Sequence, residues 1–149
     1  MVSLGLLVLR IVVGGLFAIH GYAKVFGGEG KGSQVSPDAE RMLGKGFTQQ
    51  MEQGGVASIT GFMSSLNLPN PRAAAIALMV TELGGGLALI LGWKTRMAAL
   101  ALTFSQLVAI QKVHAPNGLI AEGGYETNVA LAAATAALAI AGPGALSAD

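Results

Sequence analysis

Val80-Thr81-Glu82-Leu83-Gly84-Gly85-Gly86-Leu87 lies in the middle of an apolar run from Pro71 to Trp93. The run is long enough to span a bilayer, which takes roughly 20 residues. It nevertheless carries a carboxylate near its centre and three glycines after it. An acid at mid-membrane costs about 2.5–3.5 kcal/mol on insertion scales. Each glycine costs a helix roughly 1 kcal/mol relative to alanine. A passive anchor needs neither feature. Together they predict a helix whose backbone is closely approached by neighbours and which holds one polar group inside a bundle.

The rest of the composition agrees with a membrane setting. The 149 residues are 52% hydrophobic and 11% charged, with a mean hydropathy of +0.60, whereas a soluble domain carries about a quarter charged residues. In lipid every backbone amide must be bonded internally, which selects helices or closed barrels. The apolar runs are too long and too uniform for barrel strands. A net charge of +1 implies no nucleic-acid partner. The absence of cysteine removes thiolate zinc, iron–sulfur and disulfide chemistry from this chain, and no metal site is read from its residues. The first residues show neither a basic n-region nor a small-residue cleavage site, so residues 1–26 are not read as a removable signal peptide.

The reading is therefore an all-α single domain: a membrane four-helix bundle with spans at about 3–26, 71–93, 96–114 and 125–141. A polar, glycine-rich connection covers 27–55. Within it Ser36-Pro37-Asp38-Ala39-Glu40 has the form of a helix start, and a surface helix to about Gln53 is weakened by Gly44 and Gly46. Residues 56–68, with Val56, Ile59, Phe62, Met63 and Leu66, form a short amphipathic interfacial helix.

The ionisable side chains inside the spans define the candidate site. Arg10, His20 and Lys24 fall within a sector of about 80° on the first helix, a polar stripe expected to face the bundle interior. Lys24 also reads as a cation snorkelling to the interface, and Arg10 as half of a structural ion pair. Gln106 lies about 16 Å along the third helix from the turn at Lys94, at nearly the depth of Glu82. Arg10, Glu82 and Gln106 are thus expected to share the middle third of the membrane. His20, Lys24, His114 and Glu126 gather toward the surface opposite the termini. Arg10, His20, Lys24, Glu82, Gln106, His114 and Glu126 are the pocket candidates. The cations of the Lys94/Arg96 turn argue for cytoplasmic termini, and those of the opposite loops argue the reverse; the turn is taken as the pointer.

Several stretches, in order, resemble the DoxX family. They are Leu9-Arg10, Ile19-His20-Gly21-Tyr22-Ala23-Lys24, Leu68-Pro69 ahead of Glu82-Leu83-Gly84-Gly85, and Gly92-Trp93-Lys94-Thr95-Arg96. Val113-His114 with Asn117-Gly118, Gly124-Tyr125-Glu126 and the tail Gly142-Pro143-Gly144 with Ser147-Ala148-Asp149 complete the set. Alanine 148 stands where the family's tail usually has leucine, and the region 29–55 is longer and more polar than the family pattern. The resemblance implies a four-helix protein of the bacterial cytoplasmic (inner) membrane, associated with thiosulfate:quinone oxidoreduction or quinol oxidase complexes.

Four functions fit these features. The first is a redox subunit, at most part of a quinone-linked oxidoreductase, that takes a quinone between its helices. The second is a haem held by His20 and His114, a minimal signal. The third is a small-solute or ion transporter, for which four spans would call for a homo-oligomer. The fourth is a membrane scaffold in which an Arg10–Glu82 pair fixes register while the loops recruit soluble or membrane redox enzyme subunits. The reading adopted is a redox-associated membrane subunit with the polar cluster as its functional site and quinone as the one candidate cofactor, and the scaffold or transporter as alternatives.

Overall fold

The computed structural model describes all of residues 1–149, which are helical and turn-linked, with no strand. The elements are α1 (Val2–Phe26), a 3-10 turn (Gly32–Gln34), α2 (Pro37–Leu43), α3 (Lys45–Glu52), α4 (Val56–Ser65), α5 (Pro71–Met79), a π turn (Val80–Gly84), α6 (Gly85–Leu91), α7 (Thr95–Ala109), a second π turn (Ile110–His114) and α8 (Glu126–Ala141). Helix α5, the first π turn and α6 form one continuous rod, Pro71–Leu91. Helix α7 likewise runs on into its π turn.

Two helices, Val2–Phe26 and Pro71–Leu91, are long and apolar enough to cross a membrane, and Glu126–Ala141 is apolar but shorter. This is fewer than the four spans expected. The 95–114 rod is interrupted by Arg96, Gln106, Gln111 and Lys112, and α8 has 16 residues, below the roughly 17 that an untilted span requires.

Val13 and Phe17 of α1, Leu89 of α6, Ala99 and Leu102 of α7 and Leu138 of α8 make the main core. Around it the surface is apolar. Val12, Leu100, Phe104 and Leu107 are all exposed, and Ile140 is 79% exposed. Such a surface is costly in water and natural in lipid, where association depends on close packing and polar bonds rather than on burying grease. Both devices are present. At the α1–α6 crossing, Gly14 meets Gly86 so closely that a Cβ on Gly14 would stand 2.7 Å from the Gly86 carbonyl, and one on Gly86 would stand 2.7 Å from that of Gly14. Between α7 and α8 the hydroxyls of Thr103 and Thr135 share a 2.7 Å hydrogen bond.

The stretch 56–68 carries a short helix, α4. Helix α4 turns back at Asn67–Asn70 and packs along the start of α5, where Ile59 and Met63 join Ala75 and Met79 in a second small core. The apolar stripe is real, but its partner is protein. Helix α2 begins with the Ser36 side chain accepting from the Ala39 amide, and it ends at Gly44, whose φ of 91° starts α3 in a new direction. Helices α2 and α3 are tied by the Thr48 hydroxyl donating to Glu40, 2.6 Å. Residues 142–149 return to the end of the bundle where the chain begins: the Ala145 amide donates to the Ser3 carbonyl.

Candidate functional site

The polar residues do not meet in one place. Arg10 is fully buried, yet its partner is not Glu82. Its Nη2 donates to the carbonyls of Ala145 at 3.1 Å and Leu146 at 2.9 Å. It lies against Gly92, where a Cβ would collide with its Nη1. Gly92 ends α6 with φ 69°, so both conformation and space demand glycine there. Arg10 thus belongs to the end of the bundle that holds the termini. Its depth alone does not reveal this, because the carbonyls that receive it belong to the C-terminal tail.

That end is closed by backbone bonds. The Asp149 carboxylate accepts from the Lys94 amide and from the Thr95 amide at 3.0 Å. It thereby caps α7 from 54 residues away in sequence and places a negative charge at a helix N-terminus. Those amides, with Thr95 first, and the nearby Arg10 hold its carboxyl below the ordinary aspartate value. The Ala148 and Asp149 amides donate to Leu91 and Gly92 carbonyls. Arg96 donates to the last carbonyls of α8, those of Ala139 and Ile140 among them. Local sequence rules do not reveal this long-range cap.

Glu82 is met by Lys24 instead. Nζ lies 2.7 Å from Oε2, and the two side chains are 24% and 9% exposed. The π turn explains the encounter. Its extra residue rotates the helix locally, and such turns concentrate at functional sites. Glu82 therefore faces α1, where Gly21 allows the backbone of the π turn to come into contact: a Cβ on Gly21 would lie 2.8 Å from the Glu82 carbonyl carbon. Lys24 starts within one turn of the end of α1 and reaches inward.

The remaining candidates form separate pairs. His20 Nδ1 shares a 2.9 Å hydrogen bond with Oε1 of Gln50 on α3, one helical turn from Lys24. Gln106 is buried and accepts from Asn128 of α8 at 2.9 Å. His114 Nδ1 bonds the Gly123 carbonyl at 2.8 Å, to which Asn117 also donates. Glu126 is exposed at the start of α8. The structure thus brings together Lys24 with Glu82 and sets His20 beside them. Arg10, Gln106, His114 and Glu126 have other neighbours. Gln50 and Asp149 were missed: Gln50 sits in a stretch read as solvated surface, and Asp149 appeared only as part of a tail motif without a role.

Chemically, the Lys24–Glu82 pair is a proton donor and acceptor in contact, shielded on most sides and standing in a membrane helix. No group of three or more His, Cys, Asp or Glu residues is arranged to hold a metal. No curated protein and no solved structure matches the chain. The family model described as DoxX matches residues 5–115, from α1 through the second π turn. That range contains Arg10, His20, Lys24, Glu82, Gln106 and His114, and it covers well over half of the chain, which therefore belongs to the DoxX family.

Proposed function

We propose that this protein is a redox-associated integral membrane subunit of the bacterial cytoplasmic membrane. In this reading all four rods cross the bilayer, the two shorter ones through a locally thinned or tilted setting, with the termini cytoplasmic. The Lys24–Glu82 pair handles protons at the edge of a quinone, His20 and Gln50 extend that hydrogen-bonding array toward the surface, and the α2–α3 region faces a partner oxidoreductase.

One observation carries this reading: a lysine–glutamate contact on a π turn inside an apolar helix. Burying such a pair adds little stability relative to apolar residues of similar volume, and intramembrane ionisable groups mark proton and substrate routes. Quinone reduction takes up protons together with electrons, so a shielded donor–acceptor pair suits it. A photoreactive quinone added to the purified protein in nanodiscs tests the assignment. Crosslinks should fall on α1 near His20–Lys24 and on the π turn, and Glu82→Gln should remove them. Labelling confined to other helices would exclude the site.

A second reading is favoured by a specific observation. The polar side chains of this end close on one another in pairs, Lys24–Glu82, His20–Gln50 and Gln106–Asn128, as orientation-fixing staples would. On that reading the protein is a scaffold. Stoichiometric recovery of a redox enzyme together with unchanged quinone labelling in Glu82→Gln would select it.

A further inference from the structure

On the face of α1 that carries Tyr22, the α2–α3 unit stands off the helix and leaves a cleft in two connected halves. Tyr22 and Phe47 line both. The inner half, about 310 Å³, is wholly apolar and reaches down between α1 and α6 to Leu83 and Leu87. The outer half, about 390 Å³, adds Lys31 and Gln34. The cleft is built rather than incidental. Gly44 turns α3 back over α1, the Glu40–Thr48 bond sets the α2–α3 angle, and Glu52 accepts from the Gly30 and Gly32 amides, both at 2.9 Å, fixing the loop that carries Lys31. Tyr22 and Phe26, with ring centroids 4.8 Å apart, line the α1 side.

The polarity gradient identifies the occupant. A greasy channel open at the depth of a membrane helix leads to a cation and an amide at the level of the loops. Lys31 has no carboxylate within 4.0 Å: the ion pairs are Lys24–Glu82 and Arg41–Asp38. Leu43 of α2 lines the inner half and is also exposed, and the neighbouring Met42 is 85% exposed, apolar side chains that suit this unit to the lipid boundary. We propose that the cleft binds one anionic phospholipid, its acyl chain along Tyr22, Phe47, Leu83 and Leu87 and its phosphate at Lys31 and Gln34. A neutral quinone head would leave the Lys31 charge unanswered. Lysines near anionic headgroups attract them, and the apolar half supplies the chain's partner surface. The bound lipid would fill the gap between α1 and the α2–α3 unit and hold that unit in place over the membrane.

The test uses the full chain in nanodiscs containing phosphatidylglycerol with a photoreactive acyl chain. Crosslinks should concentrate on peptides containing Tyr22, Phe47 and Leu87. Lys31→Ala, an exposed position that leaves the fold intact, should reduce them about fivefold, the worth of one lysine near an anionic surface, while thermal stability is unchanged. Phe47→Trp, which fills the junction of the two halves, should reduce them as well. Crosslinks spread evenly over Leu100, Phe104 and the other lipid-facing residues would overturn the proposal. So would equal labelling by phosphatidylcholine.

Discussion

The two ends of the bundle use charge differently. At the end holding the termini, Arg10, Arg96 and Asp149 bond to backbone carbonyls and amides: Arg96 and Asp149 satisfy groups that helix ends leave open, and Arg10 holds two carbonyls of the C-terminal tail. At the other end the loops are held the same way, Glu52 by the Gly30 and Gly32 amides and His114 by the Gly123 carbonyl, but three pairs between elements join side chain to side chain: Lys24 to Glu82, His20 to Gln50 and Asn128 to Gln106. Backbone partners neither titrate nor move without unfolding. Side-chain partners can exchange protons and change rotamer. A buried charge is therefore not by itself a functional signal, and what it bonds to decides. Arg10 is more deeply buried than Lys24 yet acts as a rivet.

This contrast predicts a ranking of substitutions. Gly92→Ala should be the most damaging, because the new Cβ meets both a φ of 69°, costing about 1–2 kcal/mol for an L side chain, and the Arg10 guanidinium. Loss of the folded fraction in detergent, followed by thermal unfolding, measures it. Arg10→Met should come next, at roughly 3 kcal/mol or more, since two hydrogen bonds from a charged donor are worth about 1.5–3 kcal/mol each. Its quinone labelling should survive wherever the protein folds. Glu82→Gln should reverse that pattern. Its stability cost should be about 1–2 kcal/mol, between the exposed and buried limits for ion pairs, because Lys24 is partly exposed and can turn to water. Its quinone labelling should vanish. Equal stability losses for Arg10→Met and Glu82→Gln, with labelling kept in both, would erase the distinction between the ends.

Acid should separate the ends more gently. The Asp149 carboxyl sits below the ordinary value of 3.8 because it accepts the Thr95 and Lys94 amides. A lowered folded value means that its capping contribution is complete above 3.8 and is lost as pH falls through the folded value. Hydrogen exchange at the Thr95 amide should therefore accelerate only in that acidic range. The smallest effect is expected from Glu52→Gln. Glu52 is held below its ordinary value of 4.5 by the Gly30 and Gly32 amides, and its loss should loosen the 28–34 loop to proteolysis without moving the main thermal transition.

Much of the fold was legible in the residues. The length and hydropathy of the 71–93 run, the apolar first helix and the Ser36–Pro37 start each have a local physical signature, though the helix itself ends two residues earlier, at Leu91. The burial of Glu82 inside the bundle was legible from its cost in a membrane helix. Its partner was not. Helical wheels and depth arguments assume 3.6 residues per turn, and a π turn breaks that assumption at Glu82 itself. The role of residues 142–149 was hidden for another reason: a tail that caps α7 and receives Arg10 acts across more than 50 residues of sequence, which no local pattern records. The short helix within 56–68 was legible, and its packing on α5 was not, because an apolar stripe does not name its partner.

The most direct test of the account is a through-space solid-state NMR contact in lipid bilayers between the Lys24 side-chain nitrogen and the Glu82 carboxyl carbon. The account predicts a strong Lys24–Glu82 cross-peak and none between Arg10 and Glu82. A Glu82 carboxyl that contacts the Arg10 guanidinium, or no cation at all, would contradict it.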